Sequence, residues 1–190
     1  MISVKLRSDA GFTLVEVLVA GALLSVVLIV VAGIYTSITS AERVVNAITT
    51  TTKTAQGAAT AIETGIRNSS EFILTNPQGS DQMVVARTAD QDATLTWSCR
   101  AWYFSAANGG SIRSTRTTDG THIPAPNASQ LANWTLLVTG VSPRTGSGIF
   151  TVSGNELQIS FNGTVSGQQP VAIQTTVAAR TGVSEAHSCY

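Results

Sequence analysis

From Val17 to Tyr35 the chain reads VLVAGALLSVVLIVVAGIY, nineteen residues without a charge. At ~1.5 Å of helical rise per residue this run covers close to the ~30 Å of a bilayer core, so it is expected to span a membrane as a helix. Lys5 and Arg7 come just before it, the polarity that leaves the N-terminus in the cytoplasm and sends the rest outward. A cleaved secretory signal would start the same way, but its apolar core is shorter, roughly 7 to 15 residues, and ends in a small-residue cleavage site. AGIYTS, near the end of this run, is a poor cleavage site. An ordinary signal anchor is the plainer alternative, and it leaves one residue unexplained. Glu16 stands at the start of the apolar run, in GFTLVEVLVA (residues 11–20), and no further charge occurs until Glu42. A carboxylate at membrane depth costs about 2.5 kcal/mol or more and is seldom kept without a partner or a role.

Gly11-Phe12-Thr13-Leu14-Val15-Glu16, with a short basic leader before it and an uncharged helix after it, resembles the class III signal of type IV prepilins and of the pseudopilins of type II secretion. The resemblance implies that a membrane-embedded prepilin peptidase cuts after Gly11 and N-methylates Phe12. Removing residues 1–11 takes away Lys5, Arg7 and Asp9, leaving nine basic and ten acidic residues and a mature charge of −1. The cut would create a cationic amine on Phe12. By the family's logic Glu16 pairs with that amine, its own or a neighbouring subunit's, and so favours docking into a filament at one register. Read from the residues alone, Glu16 can also snorkel to the interface, since it lies only about a turn inside the cytoplasmic end.

The helix is expected to continue past the membrane. Val45, Ile48, Ala55, Ala58, Ala59, Ile62 and Ile66 recur at spacings of three, four or seven and mark one buried face. A helix from residue 12 to about 70 would be ~85 to 90 Å long, far more than a bilayer needs. Its outer half therefore has to pack on the rest of the chain. Gly21, Gly33, Gly57, Gly65 and the run Thr49–Thr52 lower helix propensity. Gly21 and Gly33 would equally let neighbouring helices approach closely. No proline occurs before Pro77, so the proline kink of many major pilins does not transfer.

Asn76-Pro77-Gln78-Gly79 is a turn, and beyond it the sequence becomes strand-like. Gln82–Thr88, Ala93–Ser105, Trp134–Thr139, Gly148–Val152, Glu156–Phe161 and Val171–Val177 are rich in Val, Ile, Thr and aromatics and are separated by Gly, Asn and Pro clusters. In Glu156–Phe161, Leu157, Ile159 and Phe161 alternate with polar residues, as on a half-buried strand. The expected fold is α+β, a long N-terminal helix packed on a C-terminal antiparallel β-sheet head, which is also the pilin layout. The expected division is a leader at 1–11, a membrane and filament-core helix at 12–36, the outer half of the helix at 37–70, and a β-rich head at 71–190. A chain of 190 residues suits one modest domain with such an attached segment.

Cys99 and Cys189 are the only cysteines, and both fall in the part expected outside the cytoplasm. One disulfide is the expectation there, closing a loop of about 90 residues worth roughly 4 kcal/mol in the chain-entropy model. Two separate thiols are the alternative, which geometry decides. His122 and His187 lack companions at metal-ligand spacing, and no hydrolase, metalloprotease or phosphate-loop motif occurs. The chain therefore reads as no enzyme, with no cofactor and no metal. Eleven basic residues balance eleven acidic ones, which gives no footprint for nucleic acid, although Arg113, Arg116 and Arg144 could cluster locally. Four Asn-x-Ser/Thr tripeptides, at Asn68, Asn127, Asn133 and Asn162, carry little weight in so Ser/Thr-rich a chain. The loops at 106–129 and 140–148 are the expected places for partner contacts.

The resemblance implies a structural subunit of a type IV pilus or of a type II secretion-like filament. The strand-rich head resembles those of minor pilins or J-type pseudopilins, which help initiate or assemble the filament. Its implied partners are prepilin peptidase, other pilins or pseudopilins, membrane lipid, and indirectly the inner-membrane assembly platform with its ATPase. Its implied location is the cytoplasmic membrane as a single-pass protein with the head outside, and then the filament. The alternative is a membrane-anchored extracytoplasmic binding module that does not polymerise.

Overall fold

A computed structural model describes residues 13–89, 96–118, 120–180 and 189. The chain divides into two compact units, Met1–Val45 and Asn46–Tyr190, and helix α1 (Leu14–Arg67) contributes to both. With no proline before residue 77, nothing in the sequence forces a break in it. It stops where Asn68 and Ser69 turn the chain into a strand: the Asn68 amide still donates to Thr64 O, while the buried Ser69 hydroxyl donates to Ile66 O at 2.6 Å. The hydroxyl thus satisfies one of the carbonyls that a helix end leaves open.

Two antiparallel sheets follow, where the sequence pattern led us to expect one. The first has the order β1-β2-β3-β4-β5, built from Ser69–Thr75, Gln82–Ala89, Trp97–Ser105, Ser111–Thr117 and Thr135–Thr139. The expected turn joins β1 to β2, with Gly79 at φ +55° and the Asp81 amide donating to Gln78 O. The short helix α2 (Ala128–Ala132) precedes β5. The second sheet centres on β8 (Glu156–Gly163). One edge of β8 pairs with β9 (Val171–Ala178) along its whole length. The other edge is shared by β6 (Val141–Pro143) and β7 (Phe150–Ser153).

The expected strands at Gln82–Thr88, Trp134–Thr139, Gly148–Val152, Glu156–Phe161 and Val171–Val177 are present within a residue or two. The run Ala93–Ser105 contains β3 from Trp97, and residues 93–95 lie outside the described residues. Three strands went unread. β1 sits in the transition from the helix, β4 inside the expected 106–129 loop, and β6 inside the 140–148 loop.

The main core lies between the outer part of α1 and both sheets. Ala55, Ala58, Ala59, Ile62 and Ile66 pack with Trp102 and Phe104 of β3, Ile112 of β4, and Leu157, Ile159 and Phe161 of β8. Side chains this large and fully buried contribute roughly 1.5–3 kcal/mol each. At Gly65 the helix lies close on the sheet, because a Cβ there would run into the Trp102 ring. The apolar stripe on α1 extends further than its cover. Val45 and Ile48, expected on the buried face, are exposed, and the first buried position of α1 is Ala55.

The five-stranded sheet is buried on both faces along its central strands β2 and β3. Met83, Val85, Cys99, Ala101 and Tyr103 point away from the helix, under Ile123, Leu131, Trp134 and Cys189. This explains why β2 and β3 read as near-continuous apolar runs rather than alternating ones. The Cys99–Cys189 disulfide, with Cα atoms 5.4 Å apart, fixes residue 189 to this second face.

Candidate functional site: the start of the helix

Thr13 is the residue just outside the first turn of α1, and its backbone and side chain both serve the helix start. Its Oγ1 accepts from the Glu16 amide at 3.3 Å, while its carbonyl accepts from the Glu16 and Val17 amides at 3.0 and 3.2 Å. Thr13 is therefore the N-cap and Glu16 the third helical residue, the positions of the Ser/Thr-x-x-Glu capping pattern. Glu16 also lies at the positive end of the helix dipole, where a carboxylate is favoured. The Glu16 side chain is exposed. The pattern Thr13-Leu-Val-Glu16 is visible in the sequence, yet Thr13 was not singled out there. Gly11 and Phe12 lie outside the described residues.

Beyond Glu16 the helix is apolar on every side. Leu14, Leu18, Leu23, Leu28, Ile29 and Ile34 are each more than half exposed, and so are most of their neighbours as far as Ile38. An apolar surface of this extent on all sides suits lipid and other apolar helices, not water. Its serine and threonine hydroxyls are satisfied within the helix: Ser25 donates to Gly21 O, Thr36 and Ser37 to Gly33 O, Thr39 to Thr36 O, and Ser40 to Ser37 O. Such back-bonding removes the orphan donors that hydrocarbon would penalise. A Cβ at Gly21 or Gly33 would meet nothing within 4 Å, so packing within this chain does not require glycine at either place.

Residues 6–32 match the family model of the prokaryotic N-terminal methylation motif. The chain carries a class III signal peptide of the type IV pilin and pseudopilin kind. The match covers residues 6–11, the capped helix start and most of the apolar run. No curated protein and no solved structure shows a significant match to the chain. The pilin-like layout of a long helix followed by an antiparallel β head extends over the described residues, and an apolar helix behind such a signal is consistent with membrane anchoring.

The other residues singled out in the sequence lie away from this helix start. Arg113, Arg116 and Arg144 do not gather. Arg113 Nη1 donates to Ala132 O and Trp134 O, and Arg144 Nη1 donates to Gln174 Oε1. Arg116 sits across from Arg100 on the opposite face of β4 from Arg113. His122 is exposed, while His187 lies outside the described residues. Among the described residues no three His, Cys, Asp or Glu side chains come together to hold a metal ion. Asn127 has a structural role. Its side chain accepts from the Gln130 amide and its own amide donates to Gln130 Oε1, a complete capping box on α2.

Proposed function

We propose that this pilin-like chain is a minor pilin or pseudopilin, processed by prepilin peptidase and built into a type IV pilus or a type II secretion-like filament. One observation carries the reading: Glu16 is the only charge between residues 10 and 41, in the first turn of a capped helix that is apolar on all sides. Cleavage after Gly11 and methylation of Phe12 would place a cationic amine four residues before that carboxylate. Thr13 holds the first turn, so Glu16 is presented from a fixed backbone. In hydrocarbon an unpaired carboxylate is costly, and an amine partner offsets part of that cost. Pairing with the Phe12 amine therefore favours one register when a subunit docks. On this reading residues 1–11 are a cytoplasmic leader, 12–36 span the membrane and later the filament core, 37–70 form the outer half of the helix, and 71–190 form the head outside. Prepilin peptidase, other pilins or pseudopilins, and the assembly platform with its ATPase are then the partners.

The test is the intact mass and N-terminal sequence of the protein taken from its native membrane, together with its yield in sheared filaments. The expected chain begins at N-methylated Phe12. Glu16→Ala should leave cleavage largely intact and lower filament incorporation by tenfold or more, whereas Gly11→Val should leave the leader attached. A chain that still begins at Met1 would exclude peptidase processing. Undiminished incorporation of Glu16→Ala would exclude the pairing role.

A further inference from the structure

Four elements of the head meet at one end of the five-stranded sheet around a cleft of about 310 Å³, whose lining includes Ser105, Asn108, Ser111, Arg113, Leu131 and Thr139. Three features of the cleft point to a ligand. Arg113 is half-buried and fixed at one end only: Nη1 donates to Ala132 O at 3.3 Å and to Trp134 O at 3.1 Å. Among the described residues nothing accepts from its Nε or Nη2, so a planar two-pronged donor of the kind that grips an oxyanion remains available. Beside it, Asn108 holds φ 52°, ψ 39°, the only non-glycine at positive φ among the described residues. Asparagine tolerates this conformation, which fixes the tip of the β3–β4 connection beside the arginine. Two residues on, Gly110 lies against the chain at Val141, where a Cβ would strike Val141 O. Finally, the Asn108 side chain and the Ser111 hydroxyl make no hydrogen bond to the described residues and add two polar groups beside the arginine.

The surroundings narrow the chemistry. Asp81 lies at the same end of the sheet, its carboxylate already accepting from Tyr103 Oη at 2.8 Å, Ser105 Oγ at 3.5 Å and the Ala106 amide at 2.8 Å. It holds the turn, and its charge disfavours a dianion nearby. Ala128, Leu131 and Ala132 make one wall apolar. We propose that the cleft binds a monovalent carboxylate carried on a short apolar stem. Arg113 and the polar groups of Asn108 and Ser111 hold the carboxylate, and the α2 wall takes the stem. The cleft draws on no residue of the helix start, so the proposal does not rest on the filament reading.

The experiment is a titration of the ¹⁵N-labelled full chain in detergent micelles with sodium propionate, with propionamide as the neutral isostere and inorganic phosphate as the dianion. Propionate should shift the backbone amides of Asn108, Ser111 and Arg113 saturably, with a half-point on the order of 1–10 mM, as suits so few ligand atoms. Propionamide should bind at least tenfold more weakly, and phosphate more weakly than propionate. Arg113→Gln should abolish the response. Because that change also loosens the tether to α2, Ser111→Ala provides the second arm: it should weaken propionate several-fold with the sheet resonances unmoved. Equal shifts from propionamide, tighter binding of phosphate, or an unchanged half-point in both variants would overturn the assignment.

Discussion

At the scale of single residues, a buried polar side chain ties the two sheets of the head together. It is Gln82 in β2. Its Oε1 accepts from the Ile149 and Phe150 amides at 2.6 and 2.8 Å, and its Nε2 donates to Phe150 O at 3.0 Å. One side chain thus pairs three backbone groups of the other sheet, packed so closely that a Cβ on Gly148 would collide with its amide. Gln82→Ala strands all three and should cost about 2–4 kcal/mol, read as a lowered denaturant midpoint with an unchanged slope. A loss under about 0.5 kcal/mol would mean that water replaces the amide. Tyr103 presents a different case. Burial first, and then the hydrogen bond to Asp81 and its negative charge, push the phenol up to about 12. The folded protein therefore holds this proton more tightly than the unfolded chain, whose phenol titrates near pH 10. The corresponding stability is fully present below about pH 10 and is lost as the pH rises towards 12. Tyr103→Phe should flatten the stability-against-pH curve across that window, and an unchanged slope would rule out Tyr103 as its source.

At the scale of elements, α1 gives opposite answers to one substitution at two glycines. Gly57 faces open space, whereas a Cβ on Gly65 would enter the Trp102 ring. Helix propensity favours alanine at both by up to about 1 kcal/mol. Gly57→Ala should therefore raise the melting temperature by a few degrees, while Gly65→Ala should lower it, because overpacking costs about 1–3 kcal/mol. Two shifts of the same sign would mean that Trp102 has room to move. These elements were unequally legible in the sequence. The helix and its buried stripe from Ala55 onward followed from apolar spacing, as did β8 from its alternation. β4, SIRSTRT, has a single apolar residue, Ile112, and becomes a strand because β3 and β5 pair with it on both sides. β6 has three residues, the last of them Pro143, and it exists only as an annex to the edge of β8. Periodicity cannot reveal strands created by their neighbours. The Gly-Phe-Thr-Leu-Val-Glu motif was legible because it is local. The Arg113 cleft was not, since β3, β4, α2 and β5 assemble it from positions as far apart as Ser105 and Thr139.

At the scale of the molecule, one helix carries two kinds of surface. From Leu14 to Ile38 its apolar side chains are exposed, and from Ala55 onward it contributes to an ordinary interior. That interior is itself double: one cluster joins α1 to both sheets, and a smaller one lies on the far face of the five-stranded sheet. The smaller cluster is covered by irregular chain around Ile123, by Leu131 and Trp134, and by Cys189, whose carbonyl accepts from the Ile123 amide at 3.3 Å. Among the described residues this cover is tied down by the Cys99–Cys189 bond, and it should open before the main core does. Replacing both cysteines with alanine, which suits their full burial, should cost about 2–4 kcal/mol. The loss should also be uneven. In hydrogen exchange the Ile123 amide should lose most of its protection, while the Ser160 amide, bonded to Ile149 O in the main core, should keep protection close to that of the variant's global stability. If both amides instead fall to the same reduced value, the two faces of the sheet unfold as one cooperative unit, and the disulfide stabilises the whole head rather than its cover.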